Sequence, residues 1–580
     1  MQFFRKMAGL VALAALTTTA GAQGFLRAEG RDLVDADGRK IILRGMGLGG
    51  WMLQEGYMFR LSPLGQQYKI KAAIADVTSK EKADAFYRKW LANHTRKVDI
   101  DSMAAWGFNS IRLPMHYALY TLPAEDEPVK GKDTWLEEGF ALTDELLKWC
   151  ETNRMYLILD LHAAPGGQGN DLPISDRNPD KPSLWQSEAN QQKTVALWRK
   201  LAERYKNSRW IGGYDVINEP NWGFEDPKDV RGTAETKNEP LKKLLVDITK
   251  AIREVDPNHL IIIEGNGFGN NYSGLMPAWD KNMALSFHKY GNYNSKAAIQ
   301  KFLDLRQQYN VPIWLGETGE NSNNWFTECI RLCERENIGW CWWQEKKMGI
   351  ANPLEIRQPA GYQKLVDYWT GKGEKPSASE AERTLNEWLD NLKLENNVYH
   401  RDVIDAMFRQ TRSELSIPYA VKEIGGGGTI RAVDFDLGRQ RSAYFDRDTA
   451  SYQYTPGVNT TGNRGRVYRN DGVDIRKAGN QYVVDHIEDG EWLQYTFWAK
   501  KDGKYDISFS VASETDAGRI TLLLNGEMAA TDIAVPATGG VDRWRPSEKK
   551  NVSLRKGKNV LRVWFDTGGF QLSEINLTKN

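Results

Sequence analysis

From Phe25 to about Gln358, short apolar runs alternate with longer stretches whose apolar positions recur every three or four residues. The short runs have the length and β-former content of buried strands, and the long ones have the period of amphipathic helices. Eight runs predict strands, at 41–45, 110–115, 156–161, 213–218, 260–263, 283–287, 312–316 and 339–343. Stretches such as 140–152 and 193–205 predict helices between them. Eight strand–helix repeats over this length predict an α/β fold, a (β/α)8 TIM barrel with insertions.

The pattern then changes twice. A charged helical stretch covers 377–414, and the run Gly425-Gly426-Gly427-Gly428 reads as a flexible break. Beyond it, β-rich runs at 492–498, 504–511, 520–525 and 559–565 alternate with turn signals, the pattern of an all-β jelly-roll or β-sandwich. At the other end, Arg5 and Lys6 precede an apolar stretch from Met7 to Leu16 and the small residues Ala20-Gly21-Ala22, the layout of an export signal. That stretch is too short to span a bilayer, and no later run is apolar enough to do so. The expected division is a signal peptide at 1–22, a barrel at 23–375, a helical linker at 376–424 and a sandwich at 425–580, in a secreted or periplasmic protein.

Composition narrows the ligand. The 580 residues carry 77 basic and 76 acidic side chains, net +1, which provides no field for steering onto nucleic acid or an anionic membrane. A neutral ligand fits better, and 21 Trp and 23 Tyr offer flat apolar faces for sugar rings besides packing the core. Cys150, Cys329, Cys333 and Cys341 lack the paired spacing of a zinc site. Cys329 and Cys333, four apart on a helix, make a poor disulfide, so all four read as buried thiols. No metal is expected, and a monomer is.

Strand alternation separates the candidate chemistry from the core. Leu157, Leu159 and Leu161 share one face, Asp160 and His162 the other; Arg112 likewise opposes Ile111 and Leu113. Polar residues facing a barrel interior near strand C-termini belong to a site. Two strings, Val216-Ile217-Asn218-Glu219-Pro220 and Ile313-Trp314-Leu315-Gly316-Glu317-Thr318-Gly319, each run from β-formers to a glutamate. If both are parallel barrel strands, the two carboxyls reach one rim, where facing carboxyls break glycosidic bonds. One must stay protonated as a general acid. The other must stay ionised, which a cation such as Arg112 favours. Taken singly, the first string fits a turn and the second a solvated loop.

Six strings occur together: Ile111-Arg112-Leu113-Pro114, Leu159-Asp160-Leu161-His162, Asn218-Glu219-Pro220, His288-Lys289-Tyr290, Gly316-Glu317 and Trp342-Trp343. In combination they resemble glycoside hydrolase family 5, the cellulase-like family, over about residues 24–369. The resemblance implies a retaining mechanism with Glu219 as acid/base and Glu317 as nucleophile, carboxyls roughly 5–5.5 Å apart. It further implies that Arg112 and Tyr290 hold the nucleophile, that His162, Asn218 and His288 shape the reacting-sugar subsite, and that Trp343 is its floor. One of Trp342 and Trp343 is expected in the core, because strand neighbours point oppositely. His116 is a further sugar-contact candidate. Glu264 is the strongest rival carboxylate and a candidate substrate contact; Glu320 and Glu345 rank below it. Segments 43–51 and 163–168 resemble the exo-acting β-1,3-glucanases of the family, their glycines either admitting ligand close to backbone or permitting tight turns.

Residues 425–580 resemble a family 6 carbohydrate-binding module, through Arg431-Ala432-Val433-Asp434-Phe435-Asp436, Asp489-Gly490-Glu491-Trp492-Leu493-Gln494-Tyr495 and Gly568-Gly569-Phe570-Gln571-Leu572. Such modules hold sugar between aromatics in a loop site, where His486, Val541 and Gln571 stand here; Trp544 is expected in the core. Arg431 and Val433 occupy positions where the family has calcium-binding glutamates, which disfavours structural calcium; no cofactor is expected.

The expected protein is a retaining glycosidase of a neutral β-linked polysaccharide, foremost a β-1,4- or β-1,3-glucan. Alternatives are an exo-β-1,3-glucanase, a β-mannanase or a xylanase. A catalytically silent binding protein would bind without releasing reducing sugar, and a transglycosylase would share the covalent intermediate. Deletion of 425–580 is expected to spare activity on small soluble substrates.

Overall fold

The computed structural model describes residues 24–226, 228–455, 457–458 and 464–580; the export-signal reading of 1–22 lies outside them. Eight parallel strands close a barrel in chain order: β1 (Arg44–Gly47), β2 (Ser110–His116), β3 (Tyr156–Ala163), β4 (Ile211–Asp215), β5 (Ile261–Glu264), β6 (Met283–Lys289), β7 (Ile313–Gly319) and β8 (Gly339–Trp343), with β8 returning to β1. The fourth strand ends earlier than its apolar run suggests. Past Asp215 the chain keeps only isolated ladder bonds, Val216 N–H to Ile262 C=O and Asn218 N–H to Leu161 C=O, both 3.1 Å.

Alternation grades the barrel interior from apolar to polar. Tyr156 and Ile158 of β3, Ile262 of β5, Trp314 of β7 and Cys341 of β8 fill the lower interior. Leu26, just before the hairpin Arg27–Glu29 and Asp32–Val34, and Leu33 within it plug the interior from below. Two residues further up the same inward faces come Asp160, Glu264 and Trp343. Alternate outward residues such as Leu157, Leu159, Ile261 and Ile263 pack on the surrounding helices. The four cysteines are buried and free.

The expected linker is part of the barrel unit. Its helix Ala378–Asn391 opens with a reciprocal Ser377–Glu380 capping box and buries Leu385, Trp388 and Leu389. Trp388 meets Trp90 edge-on at 5.1 Å in a cluster shared with Trp343; such pairs add about 0.5–1.5 kcal/mol beyond area burial. A second helix, Arg401–Phe408, lies on Asn323–Arg335.

The glycine run does not act as a break. Gly427 and Gly428 open strand Gly427–Arg431, which pairs with Gln571–Lys579. Two six-stranded sheets follow, enclosing Phe435, Tyr495, Phe509, Leu561 and Ile575. Trp544 is half-buried and outside that core, contrary to expectation.

The sandwich is bonded to the barrel. Asn470 donates to the Asn321 carbonyl (2.8 Å), its own N–H donates to Asp402 (2.8 Å), and Asn323 Nδ2 donates to the same carboxylate (2.7 Å). Asn323, Asp402 and Asn470 are all buried.

Candidate active site

Arg112 on β2 is wholly buried, and its guanidinium faces four carboxylates. Asp160 lies 3.2 Å away, Asp215 2.9 Å and Glu264 3.1 Å, and Nη1 binds Glu317 Oε1. Nη2 also donates to Asn218 Oδ1 at 2.8 Å, which turns the amide nitrogen toward His162 Nε2 at 3.2 Å. That nitrogen must accept, so Nδ1 carries the proton and donates to Asp160 at 2.7 Å. Burial, against the opposing pull of Glu317, lowers His162 to about 3, in keeping with this neutral tautomer.

Glu317 reaches the interior through a bulge in β7. Ile313 and Leu315 face the helices, and strict alternation would send Glu317 after them. The register with β6 slips instead: Phe287 pairs with Leu315, but His288 pairs with Glu317. Gly316 is the extra residue, and a Cβ there would fall on the Ser286 hydroxyl. Glu317 Oε2 then accepts from Tyr290 at 3.0 Å, while Oε1 is bound by Arg112.

Glu219 follows β4 in a left-handed conformation, φ 39°. A non-glycine residue is held there only by surrounding bonds. Its N–H donates to Glu264 Oε2 (2.7 Å), and its carbonyl accepts from Asn221 Nδ2 (2.9 Å). The carboxyl meets His288 Nδ1 at 2.6 Å. Burial, offset by His288 and reinforced by Glu317 and Glu264, pushes Glu219 up to about 7. For His288 the burial cost is outweighed by Glu264, Glu317 and Glu219, which hold it well above its ordinary value. Carboxylate oxygens of Glu219 and Glu317 and a ring nitrogen of His288 all lie within 4.8 Å of one another.

A cavity of about 450 Å³ opens over this group. Six of the nine expected residues line it: His162, Glu219, His288, Tyr290, Glu317 and Trp343. Arg112 and Asn218 lie behind its wall, fully buried. His116 is not on the cavity; it binds Asp176 at 3.1 Å and accepts the Ala118 N–H, which removes it as a sugar contact. Glu264 is fully buried between Arg112, His288 and the Glu219 N–H, so it positions these groups and does not contact substrate. Glu345 is buried on Lys346 away from the cavity, whereas Glu320 lines it and pairs with Lys347.

The tryptophan pair divides. Trp342 packs on Phe326 in the core, and Trp343 stacks on His162 with centroids 5.1 Å apart and planes 5° apart. Gly47 and Gly49 lie against the Trp343 ring, where Cβ atoms would approach to 2.9 and 2.7 Å. Trp343 Nε1 donates to Tyr57 (2.8 Å). Tyr57 and the buried Glu55 line the cavity and were missed by sequence reasoning, because they sit in and at the start of a single 3-10 turn, Gly56–Phe59, with no strand to give them a face. Burial, with Glu317 and Glu219 nearby, raises Glu55 well above the usual carboxylate range. Ser451, Gln453 and Tyr454 of the sandwich also line the cavity.

In the sandwich itself, His486, Val541 and Gln571 share a second cavity of about 290 Å³. Gln571 Nε2 is committed to Asp485 at 3.0 Å, which also binds Arg476. Arg431 pairs with Asp434 at 2.8 Å, so a guanidinium faces that carboxylate.

Residues 71–349 match the family model for cellulase (glycosyl hydrolase family 5), and residues 466–579 match carbohydrate binding module (family 6). A β-xylosidase of Phanerodontia chrysosporium is 28% identical over 378 residues, 59% of this chain and 75% of the relative. Endoglucanase C of Acetivibrio thermocellus is 25% identical over 385 residues, 56% of this chain and 96% of the relative. A glucan 1,3-beta-glucosidase of Blumeria graminis is 28% identical over 277 residues, 45% of this chain and 58% of the relative.

Proposed function

The barrel belongs to glycosyl hydrolase family 5 and the sandwich to carbohydrate-binding family 6, and from that premise we propose a retaining β-glucan hydrolase in which Glu219 is the acid/base and Glu317 the nucleophile. The observation that carries the reading is the approach of the two carboxylates, oxygens within 4.8 Å. Retaining enzymes hold their carboxyls about 5–5.5 Å apart, whereas inverting enzymes leave room for a water between them.

A Glu317 oxygen attacks the anomeric carbon as its bond to the leaving oxygen breaks, and Glu219 gives that oxygen a proton. In the second step Glu219 takes a proton from water, whose oxygen displaces Glu317 from the same carbon. Tyr290 and Arg112 fix the nucleophile in place. Trp343 supplies an apolar face for the reacting sugar. The near balance of charge supports a neutral polymer, and the names of the relatives favour β-linked glucose or xylose. Export is part of this reading, supported by the charged, apolar and small-residue pattern of 1–22.

Product analysis on β-1,4- and β-1,3-glucans, mannan and xylan tests it. Glu317→Gln is expected to lower kcat by at least about 10³-fold. Glu219→Gln should lower it by about 10²–10⁴-fold, less on substrates whose leaving group needs no proton. Near-native turnover in either variant would remove that carboxylate from its role.

A further inference from the structure

A segment of the sandwich crosses onto the barrel rim beside the catalytic pair. After strand Tyr444–Phe445 the chain reaches Thr449, whose hydroxyl accepts from Asn324 Nδ2 at 3.0 Å. Ser451 and Asn321 then bond in both directions, 2.9 Å from the Ser451 N–H and 2.7 Å to its carbonyl. The Tyr452 ring lies 4.6 Å from Tyr293, and the Tyr454 N–H donates to the Gly291 carbonyl at 2.8 Å. The barrel makes room for this approach. Gly291, next to Tyr290, has φ +45°, and a Cβ there would lie 2.8 Å from the Tyr454 ring and 3.1 Å from Gln453.

The backbone of the segment is therefore fixed while two of its side chains, Gln453 and Tyr454, are exposed. Tyr454 is 64% exposed, and both it and Gln453 face the cavity that holds Glu219 and Glu317. Gln453 Oε1 accepts from the Ser451 hydroxyl at 3.3 Å, and the amide nitrogen of this exposed side chain carries two N–H donors. A tyrosine face matches the C–H face of a pyranose, and amide donors match its hydroxyls. The same sandwich's own loop cavity lacks that pairing, since Gln571 is bound to Asp485 there.

We propose that the sandwich completes the active site, with Tyr454 and Gln453 forming a sugar-binding wall for the part of a neutral β-linked chain beyond the reacting residue. This rests on the hydrolase reading of the barrel. The module then sets which chain lengths are cleaved well, in place of merely tethering the enzyme to polymer.

The test uses the full chain and a β-gluco-oligosaccharide ladder alongside a chromogenic monosaccharide glycoside. The ratio of kcat/KM on the longest oligosaccharide to that on the monosaccharide glycoside is expected to fall about tenfold in Tyr454→Ala, one stacking contact's worth. Tyr454→Trp should restore it. In a Glu317→Gln background, where turnover is removed, adding Tyr454→Ala should weaken oligosaccharide binding by a similar factor. Ratios and dissociation constants within twofold of their parents would overturn the proposal. Absence of turnover by the unaltered chain would instead sink the hydrolase reading, with the binding arm still deciding the role of Tyr454.

Discussion

Glu219 owes its retained proton to position. Burial pushes it up to about 7 even though His288, 2.6 Å away, pulls the other way. Only the protonated carboxyl donates to a leaving oxygen, so activity is present below that value and lost as pH rises through it. We expect the alkaline limb of kcat/KM near pH 7 for the unaltered chain, and its disappearance in Glu219→Gln assayed with an activated leaving group. A limb unchanged in that variant would assign it elsewhere. Tyr290 is the second residue-scale test. Its hydroxyl donates to a charged oxygen of Glu317, and hydrogen bonds to charged groups are worth about 1.5–3 kcal/mol. Tyr290→Phe should therefore cost about 10- to 100-fold in kcat/KM, measured well below the thermal midpoint of the variant.

At the scale of elements, the eight strands are readable from apolar runs because each is buried on both sides. Arg112 and Asp160 are readable as inward because β2 and β3 pair without a slip from Ser110 to Met115 and from Tyr156 to Leu161, whereas His162 sits at the register slip just beyond. Glu317 is not: alternation sends it outward, and only the bulge at Gly316 turns it in. Gly316→Ala should crowd Ser286, costing about 1–3 kcal/mol of stability as overpacking does. It should also lower kcat at least tenfold by re-aiming Glu317, an effect that denaturant melts and kinetics at matched temperature separate. His116 ends β2 opposite Ala163, just beyond a register slip, and its bonds to Asp176 and Ala118 are ones no strand pattern reveals.

Across the whole molecule, the helical stretch and the glycine run that divide the chain on paper both belong to packed units. The buried Asn323–Asp402–Asn470 group spans barrel, helical stretch and sandwich. Asn470→Ala would strand the Asn321 carbonyl and the Asn323 side-chain oxygen, at about 1–3 kcal/mol per unsatisfied group. Chemical denaturation should report that loss. It should also lower kcat/KM on oligosaccharides, because the same contact region seats the wall at Ser451 and Tyr454; full stability in the variant would show the two units to be energetically independent.

Local order in the chain was enough to mark the barrel and the β-rich domain and to offer two strand-end glutamates as candidates, since period and strand-end chemistry are written in consecutive residues. Tertiary structure decided which side chains converge: the inward turn of Glu317, the retreat of Glu264 and Asn218 behind the wall, and the arrival of Tyr454 from a domain more than a hundred residues away. Those outcomes depend on register slips and on contacts between distant segments, which no short stretch of sequence encodes by its own periodicity.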